Sequence, residues 1–443
     1  MQVKRVGVTT LGCKVNRFES ELIAESLDRS GWSVVGETDE AELYIINTCT
    51  VTSEADRQAR QAVRRAIRRN PAAVVIVTGC YAQISPESCA SIPGVDHVIG
   101  NDRKLDIDRL LPDLGKRHSP RVMVGDLDEH VSLPDRLLSG YEGQTRAFVQ
   151  VQQGCNQGCT FCIIHRARGP SRSLQPSLVK RQVERLAIAG FREIVICGVD
   201  LGSYGDDFEF GGRQSYSLVH LIRDLCAIEQ DFRIRLSSLD PSHISDELIE
   251  LLAGHPKMCP HLHLSLQSGS TLILKRMKRR YDASLVYDKV ARLREKLPKL
   301  VLSADLMVGF PTESEGQFED SVAMVNDLQI AYPHVFPYSE RTGTPAGRIP
   351  ATRQVPLAER KARAKSLRNV GRAVRRELLV SRLGTEARVL VEGGYCPLEG
   401  HQKARAADYI ETWVPAPADA AGAWLDVIYE SARDDALIAR IAG

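Results

Sequence analysis

Short apolar runs alternate with longer stretches in which apolar positions recur every three or four residues. In the first third of the 443-residue chain, Val3–Thr10, Glu42–Asn47, Val74–Thr78 and His97–Ile99 have the character of strands. Helical periodicity fills Arg17–Arg29, Glu54–Arg69 and Pro86–Ala90. That alternation predicts a parallel sheet wrapped by helices. Leu110–Gly143, with several Pro and Gly residues and mixed charge, predicts a connection holding one short strand at Arg121–Val124. A second alternation begins at Arg146. Its predicted strands are Ala147–Gln152, Glu193–Cys197, Arg233–Ser237, His261–Leu266, Leu302–Met307 and His334–Phe336. Ser177–Ala189, Leu218–Ala227, Asp246–Leu252, Ala283–Glu295 and Gln317–Asn326 predict the helices between them. Six β/α units point to an incomplete barrel of the triosephosphate-isomerase type. Thr352–Arg382 predicts a helical segment with ten Lys/Arg against two Glu. The remainder shows short strands at Ala387–Glu392, Asp408–Val414 and Leu425–Tyr429, which suits a small β-barrel of the kind that often binds oligonucleotides. The expected division is 1–115, a linker 116–145, a barrel 146–350, a basic connector 351–383 and a β-module 384–443.

Bulk composition narrows the class. Hydrophobic residues make up 43% of the chain, enough for several cores and against global disorder. Asp, Arg or Glu interrupts every apolar stretch before it reaches the length of a membrane span. Met1–Thr10 reads as a charged pair leading into a strand, and a signal peptide is not expected. Eleven cysteines without export signals point to a reducing cytoplasm and to metal ligation over disulfides. With a net charge of +2, affinity for nucleic acid has to come from local clustering.

The cysteines carry the chemistry. Cys155, Cys159 and Cys162, with three and two residues between them, lie in a loop after the first barrel strand, on the face where such barrels keep their active sites. Structural zinc takes four protein ligands, usually as two separated pairs. A [4Fe–4S] cluster held by three cysteines leaves one iron for an outside ligand. S-adenosylmethionine can chelate that iron through its amino and carboxylate groups, and an electron then releases a 5′-deoxyadenosyl radical. Phe161 suits a flat contact with adenine, with ordinary core packing as the alternative. A second set is scattered. Cys13, Cys49 and Cys80 each follow one of three successive predicted strands, and carboxyl ends of strands form the ligand crevice of open α/β sheets. The alternative is three unrelated buried thiols. Cys89, Cys197, Cys226, Cys259 and Cys396 show no matching placement and are read as packing residues.

Leu11-Gly-Cys-Lys-Val-Asn16, Asn47-Thr-Cys-Thr-Val-Thr52 and Gly79-Cys-Tyr-Ala-Gln83 resemble the signature blocks of the radical-SAM methylthiotransferases. The 155/159/162 triad, His261–Gly269 and Asp305–Thr312 resemble the same family, and the likeness runs from residue 3 to the C-terminus. It implies a flavodoxin-like N-terminal domain, a radical-SAM partial barrel and a C-terminal TRAM β-barrel. It also implies two [4Fe–4S] clusters, an auxiliary one on Cys13, Cys49 and Cys80 and a radical-SAM one on Cys155, Cys159 and Cys162. One S-adenosylmethionine would methylate sulfur and a second would yield the radical that activates the substrate C–H.

The blocks around Cys13 and Cys49 look most like the enzymes that act on threonylcarbamoyladenosine at tRNA position 37. Sister enzymes act on isopentenyladenosine-37 of tRNA or on a ribosomal protein. A non-catalytic Fe–S, RNA-binding protein is the alternative from another class. The resemblance implies a cytoplasmic enzyme whose partners are the tRNA anticodon stem-loop and a reducing donor such as flavodoxin or ferredoxin, with no membrane. On the helix from Glu54, Arg57, Arg60, Arg64 and Arg68 form one stripe, readable as an RNA contact or as a solvated charged face. Ser53 with Asp56 suits a weak capping box at its start, and the basic run Arg360–Arg376 adds phosphate-binding capacity. Gly198, Ser238, Gln267 and Asp305 sit at predicted strand ends, within reach of S-adenosylmethionine or serving as strand-end caps. Cys197-Gly-Val-Asp200 stands where many radical-SAM enzymes carry Gly-Gly-Glu, which leaves a carboxylate role for Asp200 open.

Overall fold

The computed structural model describes residues 4–127, 135–141, 143–210, 213–214 and 216–442. Val3, part of the expected 116–145 linker and Gly443 lie outside them. The N-terminal domain is built on six parallel strands: β1 (Arg5–Thr10), β2 (Ser33–Val35), β3 (Leu43–Thr48), β4 (Val74–Gly79), β5 (His97–Ile99) and β6 (Arg121–Met123). Their spatial order, β2-β1-β3-β4-β5-β6, is flavodoxin-like. The central strand β3 is buried at every position, as a parallel sheet covered on both faces requires. The strand order reverses between β1 and β3, so the crevice that such sheets use for ligands opens there. Helix α1 (Lys14–Arg29) follows β1 directly, and α2 (Ser53–Arg69) follows β3. The cap of α2 differs from the expected Ser53/Asp56 box. Thr52 is the N-cap and accepts from Ala55 N at 3.1 Å, while Asp56 is engaged by Thr50 and Arg341.

The second domain has six parallel strands in sequential order: Arg146–Gln150, Glu193–Cys197, Arg233–Leu236 continuing as Ser238–Leu239, His261–Gln267, Val301–Val308 and Ile330–Pro337. A break at Ser237 divides them into a three-stranded and a four-stranded sheet, and the barrel is open between its first and last strands. Outward residues such as Ile194, Leu264, Leu306 and Val335 join one large apolar cluster with the surrounding helices. Phe18 and Leu22 of α1 belong to the same cluster, so the N-terminal domain is welded to the barrel by apolar burial.

The connector helix runs from Leu357 to Ser381 and buries Leu367 and Val374 against the barrel. Its basic run is only partly available for phosphate, which corrects the expectation for Arg360–Arg376. Arg360 is buried and donates to the carbonyls of Val355 and Tyr338 at 2.6 and 3.1 Å. Arg363 is buried against Glu313 at 2.7 Å. Beyond it, Glu386–Val391, Gln402–Ala406, Glu411–Val414, Trp424–Arg433 and Ala436–Ile441 close into a five-stranded barrel of the expected TRAM type. Two of its strands, Gln402–Ala406 and Ala436–Ile441, were not expected; the first carries no large apolar residue to stand out in the sequence pattern. Among the described residues no helix is long and apolar enough to cross a membrane.

Candidate metal centres at the barrel mouth

The three scattered cysteines are placed by three strand ends. Cys13 is the N-cap of α1, Cys49 follows β3, and Cys80 opens the short helix Cys80–Ile84 after β4. The Cys13 and Cys49 loops are pressed together. A Cβ added at Gly12, whose φ is +100°, would lie 2.6 Å from Cys49 Cβ and 2.9 Å from its Sγ. Asn16 ties the same two loops by donating to Leu11 O at 2.6 Å and Thr48 O at 3.0 Å. Cys13 is exposed, Cys49 partly buried and Cys80 buried. Burial, with Cys80 and Cys13 nearby, pushes the Cys49 thiol up to about 12.

Below them lies the loop of Cys155, Cys159 and Cys162, at the carboxyl end of the first barrel strand. Gly154 sets its course with φ +75°, and a Cβ there would sit 1.8 Å from Pro170 O. Every sulfur of the loop has a donor. Cys155 accepts from Gln157 N at 3.4 Å, Cys162 from Ile164 N at 3.4 Å and Cys159 from Arg279 Nη1 at 3.3 Å. Burial raises the Cys155 thiol to about 12, with Asp200 adding to it, and the Cys162 thiol to about 11. N–H donors aimed at buried sulfurs suit thiolates that carry cluster charge. The scattered set has the same feature, since Cys80 accepts from Arg168 Nε at 3.3 Å. Among the described residues no three His, Cys, Asp or Glu side chains gather into a single-ion site. A cube of four irons is wider than one ion, and the donor pattern around the sulfurs fits it.

The N-terminal domain meets the segment that leaves the triad loop, where Arg168 reaches Cys80. Asn101 of the N-terminal domain donates to Ala167 O at 2.6 Å, just past the triad loop. Arg341, after the last barrel strand, meets Asp56 at 2.7 Å and also donates to Thr50. Cys197, at the end of the second barrel strand, is buried, and its thiol is raised chiefly by burial, with Lys14 and Cys13 close enough to act on it.

The remaining expected site residues divide. Phe161 is half-buried against Ile273, Met277, Phe310 and Tyr338. Gly198 lies over Gln152, whose Oε1 accepts from Val199 N and Asp200 N at 2.9 and 2.8 Å. Ser238 Oγ meets Ser265 Oγ at 2.8 Å, and Gln267 stands at φ +64° at the strand end. Asp305 lies 3.1 Å from His263 Nε2, and His334 packs edge-on against His263. Asp200 is within 3.7 Å of Cys155 Sγ and pairs with Arg280, which also reaches Asp240. On α2, Arg57 is held by Glu54, and Arg60 bonds Tyr81 Oη at 3.1 Å; Arg64 and Arg68 are exposed. The pattern reading missed Arg168, Arg279, Arg280, Asp240 and His263. His263 carried a signal, since it lies in the block His261–Gly269, and Arg279 and Arg280 stand as adjacent charges just before the helix predicted from Ala283.

Similarity to known proteins follows the same division. Residues 5–100 match a family described as "Uncharacterized protein family UPF0004", and residues 149–325 match the radical SAM superfamily. The chain is 41% identical over 388 residues to the threonylcarbamoyladenosine tRNA methylthiotransferase MtaB of Rickettsia prowazekii, covering 88% of each chain. It is 39% identical to the Aquifex aeolicus protein of the same name, over 87% of this chain and 92% of that one. The fold is similar to that of the radical S-adenosylmethionine methyltransferase TsrM from Kitasatospora setae, with a TM-score of 0.58, 14% identity and coverage of 78% and 77%.

Proposed function

The chain belongs to the radical-SAM methylthiotransferase family, and we propose that it adds a methylthio group to C2 of N6-threonylcarbamoyladenosine at position 37 of tRNA. The observation that carries this reading is the seating of Cys13, Cys49 and Cys80 over the mouth of a barrel that presents Cys155, Cys159 and Cys162. Proteins named for this activity in the relatives above support the substrate. When bound, the two [4Fe–4S] clusters and S-adenosylmethionine supply the transferable sulfur, the methyl group and the 5′-deoxyadenosyl radical.

The chain's own residues position these partners. Arg280 with Asp200 and Asp240 sets a charged rim beside Cys155, suited to the amino-acid end of S-adenosylmethionine. Asp305, held by His263, lines the inner wall with His334 and the exposed ring of Phe336. Such a wall offers an adenine both a stacking surface and hydrogen-bond partners. At the opposite end of the barrel Tyr409 of the C-terminal barrel stacks on His261. Position 37 lies in the anticodon stem-loop, so that arm has to enter the mouth. A low-potential donor such as flavodoxin or ferredoxin fits the electron demand, and a tRNA substrate fits a cytoplasmic enzyme.

Anaerobic reconstitution and nucleoside analysis test the proposal together. The full chain should hold about eight irons, and about four in the variant lacking Cys13, Cys49 and Cys80. Nucleosides from a deletion strain should lack the methylthio group on threonylcarbamoyladenosine. Its loss from isopentenyladenosine instead would overturn the substrate.

A further inference from the structure

Arg168 ends the short helix Ile164–Arg168 that leaves the triad loop, and its side chain is 2% exposed. It reaches out of the barrel into the N-terminal domain. Nε donates to Cys80 Sγ at 3.3 Å. Nη1 donates to Glu19 Oε1 at 2.6 Å and to Gln153 Oε1 at 3.1 Å. Nη2 donates to Glu19 Oε2 at 3.0 Å and to Asn16 Oδ1. Asn16 in turn holds Leu11 O and Thr48 O, on the loops of Cys13 and Cys49. One guanidinium therefore touches one cysteine of the scattered set and braces the loops of the other two.

Arg168 shares Glu19 with Lys104, and all three side chains are buried. Burial lowers the pKa of Lys104, and Asp102, also buried, lines the same cavity. What singles out Arg168 is its direct contact with Cys80, where a buried cation would meet the negative charge of a cluster on Cys13, Cys49 and Cys80. Hydrogen bonds to ligand sulfurs and nearby charge are among the determinants of a cluster's reduction potential.

We propose that Arg168 is a positioning residue for the auxiliary cluster, donating to the Cys80 ligand sulfur, registering the Cys13 and Cys49 loops through Asn16, and holding the cluster's potential up. The inference rests on the reading of Cys13, Cys49 and Cys80 as cluster ligands. Because Arg168 grows from the loop of the other triad, it also fixes one cysteine set against the other.

The test uses the full chain with Cys155, Cys159 and Cys162 changed to Ala, so that only the auxiliary site can load. This parent should bind about four irons after reconstitution; failure there overturns the ligand assignment itself, whatever Arg168 does. In the same background, Arg168→Met should shift the potential, followed by electron paramagnetic resonance during redox titration, to more negative values. Arg168→Lys keeps the charge without the Nε contact and should give a smaller negative shift with an altered spectrum. Glu19→Gln removes the carboxylate between two cations and should shift the potential the other way. If Arg168→Met does not load iron, the Lys and Gln variants decide. Parent-like potentials and spectra in both of those, with iron retained, overturn the proposal.

Discussion

The Tyr409 ring of the C-terminal barrel stacks on His261 of the large barrel, with centroids 4.5 Å apart and planes 20° from parallel. Arg235 and Arg405 lie over the same ring at 5.1 and 4.8 Å. Tyr409 holds φ +79°, an uncommon conformation for a residue other than glycine, in order to present its ring there. His261 begins its strand, so the stack lies at the amino end of the barrel and leaves the carboxyl end to the cysteines. Tyr409→Ala should lower stability by about 2 kcal/mol in urea titration, less than a fully buried aromatic because the ring is partly exposed. An unchanged midpoint would show that the stack is incidental.

Glu193 governs the same end by charge. Its buried carboxylate pairs with Arg233 at 2.6 Å and Arg235 at 2.7 Å, and both arginines continue to C-terminal-barrel carbonyls at Arg405 and Ala407. Burial raises the carboxyl's pKa, but Arg235 and Arg233 outweigh it and hold the group well below its ordinary range. A depressed folded-state value gives stability that is present above the unfolded pKa of about 4.3 and lost as pH falls below it. The melting temperature should therefore drop on acidification below about pH 4.5, and the drop should be shallower in Glu193→Gln. Glu193→Ala, which strands two buried guanidiniums, should cost roughly 3–5 kcal/mol at neutral pH. Parallel pH profiles for wild type and Glu193→Gln would remove Glu193 as the cause.

Gly154 is the tightest point in the radical-SAM loop. With its Cβ direction filled by Pro170 O at 1.8 Å, Gly154→Ala has to move either Cys155 or the strand beneath it. Iron after reconstitution should fall from about eight to about four per chain, and deoxyadenosine formation should cease. Full loading in this variant would mean that the loop tolerates displacement.

Most strands of both large domains were legible because parallel strands buried on two faces read as continuous apolar runs, β3 being the plainest case, whereas the short edge strand β2 has no buried residue and was missed. The cysteines proposed as cluster ligands stood out for a related reason: Cys13, Cys49, Cys80 and Cys155 each follow such a run, and Cys159 and Cys162 share the loop of Cys155. Strand Gln402–Ala406, whose inward residues are Ala404 and Ala406, gave no comparable contrast. Arg168 was invisible for a different reason. Its partners Glu19, Asn16 and Cys80 are distant in sequence and meet only once two domains dock. Basic residues misled in the same way, since Arg360 and Arg363 look like phosphate ligands until the helix is packed.

Along α2, Arg57 is engaged by Glu54, Arg60 packs over Tyr81 at 5.9 Å, and Arg69 donates to Glu37 O at 2.6 Å. Arg64, Arg65 and Arg68 are exposed on the same helix and remain open to phosphate. Each phosphate contact contributes about 0.9 to the slope of log affinity against log salt on a duplex stem. Changing Arg64, Arg65 and Arg68 together to Ala should weaken tRNA binding and flatten that slope by about 2 if most of the three contacts are made. Arg57→Ala should leave both nearly unchanged, because its guanidinium is already paired. The measurement is filter binding or anisotropy with unmodified tRNA across a salt series. Equal slopes for the triple variant and the wild type would move the RNA path off this helix, and a large effect from Arg57→Ala alone would reverse the assignment of which arginines are free.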